Sequence, residues 1–239
     1  FESILVNNNI EVMKESEVVN ITKESGDFKI IFRNKNIFKT VYAKHIFFSN
    51  PLLQFINIFD NKTPENVIEA AQNLRYRNHI SVHLCINEKL FDDNWIYVHS
   101  PDLKVARISD FSNFSKSMSP KDTYTLTLEY FCFEHDPLWS YDKTTLINLA
   151  ASELQSIFNS NFEILHSEIT KSTHAYPVIE KGYEYKIETI KDWVKSQKNI
   201  SAIGRSGMFK YNNQDHAMAT GLSAVRRYLG DDVYDPWLV

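Results

Sequence analysis

Two stretches alternate so regularly that they leave little choice of architecture. In RYRNHISVHLCIN (75–87), Ile80, Val82, Leu84 and Ile86 fall on one side of an extended chain. His79, Ser81, His83 and Cys85 fall on the other. In TYTLTLEYF (123–131), Tyr124, Leu126, Leu128 and Tyr130 oppose Thr125, Thr127, Glu129 and Phe131. A strict period of two with one apolar side marks strands half buried in an antiparallel sheet. NWIYVHS, KVARIS and residues 162–175 supply further strands, and the short connections favour hairpins over crossovers.

Around this block the chain changes character. Residues 10–49 read as strands (IEVMKESEVVNI, FKIIFR, FKTVYAKHIFFSNP) that stop at Pro51. Thr63-Pro64-Glu65 reads as a helix start with a capping hydroxyl, carrying Val67, Ile68 and Ala71 to about Leu74. Asp142 to Phe158 reads as a capped helix with the stripe Leu146, Leu149, Ala150, Leu154 and Ile157. Tyr176-Pro177 imposes an extended bend, and a helix is expected near Lys186 to Ser196. The DDVYDPWLV tail has no periodicity and either packs through Trp237 or stays loose.

The polar side of the alternating strands invites chemistry. His79, His83 and Cys85 are metal-binding residue types, but four residues of strand separate the two histidine Cα atoms by about 13 Å. That is too far for easy closure on one ion. A polar sheet face is the better reading, and no metal is expected. Glu129 could be a pocket carboxylate, although a solvated position is favoured. No GxSxG, HExxH or cysteine with a readable base occurs, so any catalytic power would come from a bound cofactor. A net charge of −4 argues against a nucleic-acid partner. No apolar run reaches the roughly 18 residues of a membrane span. The two cysteines, Cys85 and Cys132, form no framework, and reduced thiols in a cytoplasm are the simplest account.

The stretch from Asn199 to Gly230 carries the strongest functional signal. Ile200 to Ile203 suits a buried strand, and Gly204 and Gly207 bracket a turn where backbone can approach a ligand. Asn212, Asn213 and Asp215 are helix-capping types. Met218, Leu222, Val225 and Leu229 then lie on one helical face, with Ala217, Gly221 and Ala224 forming a small-residue face. A helix N-terminus preceded by Arg205 could seat an anion or a carbonyl-bearing ring. The same pattern is also an ordinary strand–turn–helix.

The string GRSGMFKYNNQD resembles the carboxy-terminal flavin motif of the FAD-dependent amine-oxidase superfamily. It is most similar to the branch of protoporphyrinogen-oxidase-like proteins and UDP-galactopyranose mutases. The resemblance implies that Gly204, Arg205, Gly207, Asp215 and His216 contact FAD, and that Tyr211 and Lys210 contact substrate. It implies an α+β portion of an α/β flavoprotein. Residues 1–73 would be a β-meander and return segment of the FAD-binding domain, and 74–180 an antiparallel substrate-domain sheet with helices. Residues 181–239 would be the remaining strand and carboxy-terminal helix of the FAD-binding domain. The six glycines nowhere spell GxGxxG, so the nucleotide-binding βαβ unit is expected upstream and this chain alone is expected to be inactive.

Two chemistries follow from the resemblance: oxidation of a small-molecule substrate by the flavin, or non-redox isomerisation of a nucleotide sugar in cell-surface polysaccharide synthesis. A cofactor-free binding domain is the rival from another class.

Overall fold

The computed structural model describes residues 2–60 and 63–239. The chain begins with helix α1 (Glu2–Asn7), then strands β1 (Ser16–Glu24), β2 (Asp27–Asn34), β3 (Ile37–Ala43) and β4 (Ile46–Phe48). Helices α2 (Leu52–Ile58) and α3 (Glu65–Gln72) lead to β5 (Tyr76–Ile86), β6 (Trp95–Tyr97) and β7 (Arg107–Asp110). Then come α4 (Phe111–Phe114), β8 (Tyr124–Cys132), α5 (Pro137–Ser140), α6 (Lys143–Phe158) and β9 (Ile164–Pro177). Helix α7 (Tyr183–Ser196), strand β10 (Ile200–Ala202), α8 (Gly204–Gly207) and α9 (Gln214–Tyr228) complete the chain. Contacts divide it into two units, one formed by 1–75 with 179–239 and the other by 76–178.

The 76–178 unit is a five-stranded sheet in the order β6-β7-β8-β5-β9, with every pairing antiparallel. The alternation read from the sequence is what builds it. Ile80, Val82, Leu84, Ile86, Leu126, Leu128 and Tyr130 are all fully buried on one face, against Leu146, Ala150 and Leu154 of α6. Asp142 caps α6 as expected, its carboxylate accepting from the Thr145 amide at 2.7 Å. One buried position of that helix is not apolar: Glu153 accepts from the Tyr130 hydroxyl at 2.8 Å and from the Lys104 amide at 2.6 Å. The first residue of β5 pairs with the last of β9, Tyr76 opposite Pro177, so the unit begins and ends on neighbouring strands.

The other unit holds the antiparallel meander β1-β2-β3 and a two-stranded parallel sheet of β4 and β10. Phe28, Leu52, Phe55 and Ala71 are among its fully buried side chains, and Phe48 stacks on Phe55 with centroids 3.8 Å apart. Helix α3 starts after Pro64, and Thr63 makes no capping bond, so the expected hydroxyl cap is corrected. Helix α7 begins a turn earlier than the sequence suggested, after Gly182, whose φ of +85° a side chain would resist. The tail packs: Pro236 and Trp237 are buried, and Lys210 Nζ donates to the carbonyls of Trp237 and Val239 at 2.8 and 2.6 Å. Among the described residues no helix is long and apolar enough to cross a membrane.

Candidate functional site

Strand β10 runs parallel to β4 in the register Ile200–Ile46, Ser201–Phe47, Ala202–Phe48, and the glycine turn leaves its end. Gly204 adopts φ +71°, and its amide donates to Thr220 Oγ1 of α9 at 2.8 Å, tying the turn to the final helix. Gly207 answers a different need. A Cβ there would sit 2.8 Å from the Phe48 carbonyl, so this glycine lets α8 lie on β4. Its role within the chain is close packing, a purpose that spacing alone could not separate from ligand approach.

The next residues form a tight group. Arg205 donates from a terminal guanidinium nitrogen to the Asn212 carbonyl at 3.0 Å, and its guanidinium lies 4.7 Å from the Tyr211 ring centroid. Tyr211 itself is 68% exposed. Lys210, Tyr211, Asn212, Asn213 and His216 line one side of an open cavity of about 610 Å³, whose apolar wall includes Tyr183 and Phe209. Burial lowers the pKa of Lys210, whose ammonium faces the tail carbonyls. Gly204, Arg205, Gly207 and Asp215 do not line that cavity.

Asp215 is the second residue of α9, and its side chain is 74% exposed. Its carboxylate lies 3.0 Å from His216 Nδ1, and the His216 amide is the first of the contacts that hold its pKa below the usual aspartate range. The N-cap Asn213 makes no side-chain cap bond, which corrects the capping role expected of it. The sequence reading missed Asn212 as more than a cap type. Both polar atoms of its side chain are buried without a hydrogen-bond partner among the described residues. A buried primary amide left unmatched costs free energy comparable to lost hydrogen bonds.

A second set of polar groups lies on the sheet of the 76–178 unit. Tyr97, Arg107, Glu129 and Ser81 are successive lateral neighbours across β6, β7, β8 and β5. Glu129 is only 7% exposed, which overturns the favoured reading of a solvated carboxylate. Arg107 grips it with two bonds of 2.8 and 2.5 Å, and His79 Nε2 lies 3.1 Å from the same carboxylate. Burial pushes the Glu129 pKa up, but the bonds from His79 and Arg107 more than reverse this and bring it to about 2. His83 Nδ1 lies 2.8 Å from Thr127 Oγ1. The signal that could have found Arg107 is its register: KVARIS, paired with TLTLEYF, sets a cation directly beside a carboxylate.

The chain has an α+β fold shared with parts of larger proteins of known structure. It is similar to the crystal structure of reduced UDP-galactopyranose mutase, at a TM-score of 0.82 and 18% identity, over 96% of this chain and 50% of that one. A protein from Exiguobacterium sp. 255-15 provisionally assigned as a protoporphyrinogen oxidase matches at TM-score 0.64 and 14% identity, over 80% and 42% of the two chains. The PF1083 protein of Pyrococcus furiosus matches at 0.61 and 14%, over 100% and 52%. The chain thus spans about half the length of the solved structures it matches. No family profile and no curated protein matches the sequence.

Proposed function

We propose that the chain is part of an FAD-dependent enzyme of the amine-oxidase superfamily, with the turn from Gly204 to His216 holding the cofactor. The observation that carries this is the unmatched, buried side-chain amide of Asn212 at the mouth of an uncapped helix, inside the string that resembles the flavin motif. A flavin ring presents carbonyl and ring-nitrogen acceptors and one N–H donor, the complement of an amide and of free first-turn amides. Bound flavin would supply the electron or nucleophile chemistry that this chain's side chains lack. In this reading Gly204, Arg205 and Gly207 shape the turn, Asp215 and His216 contact the cofactor, and Tyr211 and Lys210 meet a small-molecule substrate.

A nucleotide sugar is favoured over other substrates by two observations. The match to the mutase covers more of the chain at a higher TM-score than the match to the oxidase-like protein. Tyr211 also presents an exposed ring, backed by the Arg205 guanidinium 4.7 Å from its centroid, as a face for a planar base. Non-redox isomerisation of such a sugar, serving polysaccharide synthesis, is therefore the finer reading.

The test is the visible spectrum of the protein purified as the cell makes it, with any flanking sequence included. Flavin bands are expected, and colourless protein that takes up no added FAD overturns the reading. Asp215→Ala and Asn212→Ala should each lower flavin occupancy at fixed FAD; full occupancy in both removes them from the site. Tyr211→Phe should keep the flavin and weaken binding of a UDP-sugar, and equal affinity in both forms would take Tyr211 out of the substrate contacts.

A further inference from the structure

Strand β3 ends the meander with a free edge: among the described residues its one sheet partner is β2. The two strands are joined by the two-residue turn Lys35-Asn36, with φ of +47° and +68°. Such a turn makes Asn34 and Ile37 the first hydrogen-bonded pair of the hairpin. Bonding then alternates, so the amides and carbonyls of Ile37, Lys39, Val41 and Ala43 turn toward β2. Those of Phe38, Thr40 and Tyr42 turn to the free edge. Over its seven residues β3 has no bulge and no proline to close that edge. Phe38 and Tyr42 beside it are each 65% exposed.

The order of the side chains says which strand fits. Turned antiparallel about Thr40, the segment Ile37–Ala43 is complementary to itself. Thr40 meets Thr40, and Phe38 meets Tyr42 on either side of the axis. The residues with free backbone groups are thereby matched with one another, each pair exchanging both bonds. Two aromatic cross-strand pairs form on the outer face, and no like charges fall directly opposite. Lys39, the one charge of the strand, would alone guard the edge. In this register it lies opposite Val41 of the second copy. Val41 lines a cavity of about 570 Å³ together with Glu11, Lys14, Glu15 and Lys35. Lys14 pairs with Glu2 and Lys35 with Glu15, which leaves Glu11 as the carboxylate there without an ion pair among the described residues. Each copy therefore brings its Lys39 ammonium toward the Glu11 side of the other.

We infer that β3 is an interface between two copies of this chain, paired antiparallel with the two-fold axis at Thr40, so that two meanders join as one continuous sheet. The inference goes beyond the proposed function and applies to flavin-bound and colourless protein alike.

The test uses the protein as the cell makes it, with Thr40→Cys or Lys44→Cys, both at exposed positions. Directly opposed Cα atoms in a hydrogen-bonded pair lie about 5.5 Å apart, within reach of a disulfide. The two residues 44 would be separated by about 27 Å, eight residues at 3.4 Å each. Under oxidised glutathione, Thr40→Cys is expected to link two copies through residue 40, and Lys44→Cys to give no link at 44. Light scattering of the unaltered protein should give the mass of two copies, falling toward one on dilution. Thr40→Lys sets two cations opposite each other and should weaken that dimer about tenfold. Single-copy mass at every concentration overturns the inference. So does a dimer that Thr40→Lys leaves intact, a dimer without the 40–40 link, or linkage at 44 as ready as at 40. Flavin absorbance of the same samples reads the proposed cofactor separately.

Discussion

Glu129 holds Arg107 and His79 from a nearly water-free position on the sheet. Its pKa is depressed from 4.5 to about 2. A depressed acid stabilises the fold above its unfolded pKa and loses that stabilisation as the pH falls through the folded value. The contribution, about 3 kcal/mol at 1.4 kcal/mol per unit, should be intact at pH 7 and decline between about pH 4.5 and pH 2. Urea unfolding across that range measures it. In Glu129→Gln the decline should flatten, and stability at pH 7 should drop by about 3 kcal/mol because the Arg107 cation loses its partner. Gly207→Ala should cost about 1–3 kcal/mol through the clash with the Phe48 carbonyl, with unfolding midpoints as the readout. The sequence could name both positions but not their reasons. Which strand lies beside Glu129, and which carbonyl lies over Gly207, are facts of register and packing that no local pattern encodes.

Strands β5 and β8 and helix α6 were legible because each has one face to bury, and the period of its apolar residues declares the face. What the pattern hid was the polar exception. Glu153 sits in the buried stripe of α6 and is matched by a tyrosine from β8, a pairing with no short-range signature. Tyr130→Phe should therefore destabilise by about 1–3 kcal/mol, since the Glu153 carboxylate loses a buried donor; chemical denaturation of the two forms checks this. Helix α9 shows the opposite limit. Its apolar period was plain, but a period identifies a face and not its partner, and the side this chain covers is Thr220, Ser223 and Ala224. The glycine turn was readable as a string, and its resemblance pointed to the fold. The orphaned amide of Asn212 became visible only once its surroundings were built.

At the scale of the molecule, the core of the 76–178 unit is drawn wholly from its own residues, from Ile80 to Phe162. A fragment of residues 76–178 should fold by itself, with far-UV dichroism of an antiparallel sheet and slow amide exchange in β5. A fragment with coil dichroism and no protected amides would refute this.

The opposition of Tyr76 and Pro177 has a bearing on synthesis. A ribosome releases β4 long before β10, and closing the roughly 150 residues between them, about a hundred of which form the sheet unit, as a floppy loop carries an entropic penalty that grows with their number. Once β5 and β9 zip together, those residues become a rigid clasp, and the polymer emerging after it resumes beside the place where the earlier segment left off. The inserted sheet thus works as a fastening for nascent chain, and mutations that loosen its seam should delay maturation of the parallel pair even where no side chain of that pair has changed.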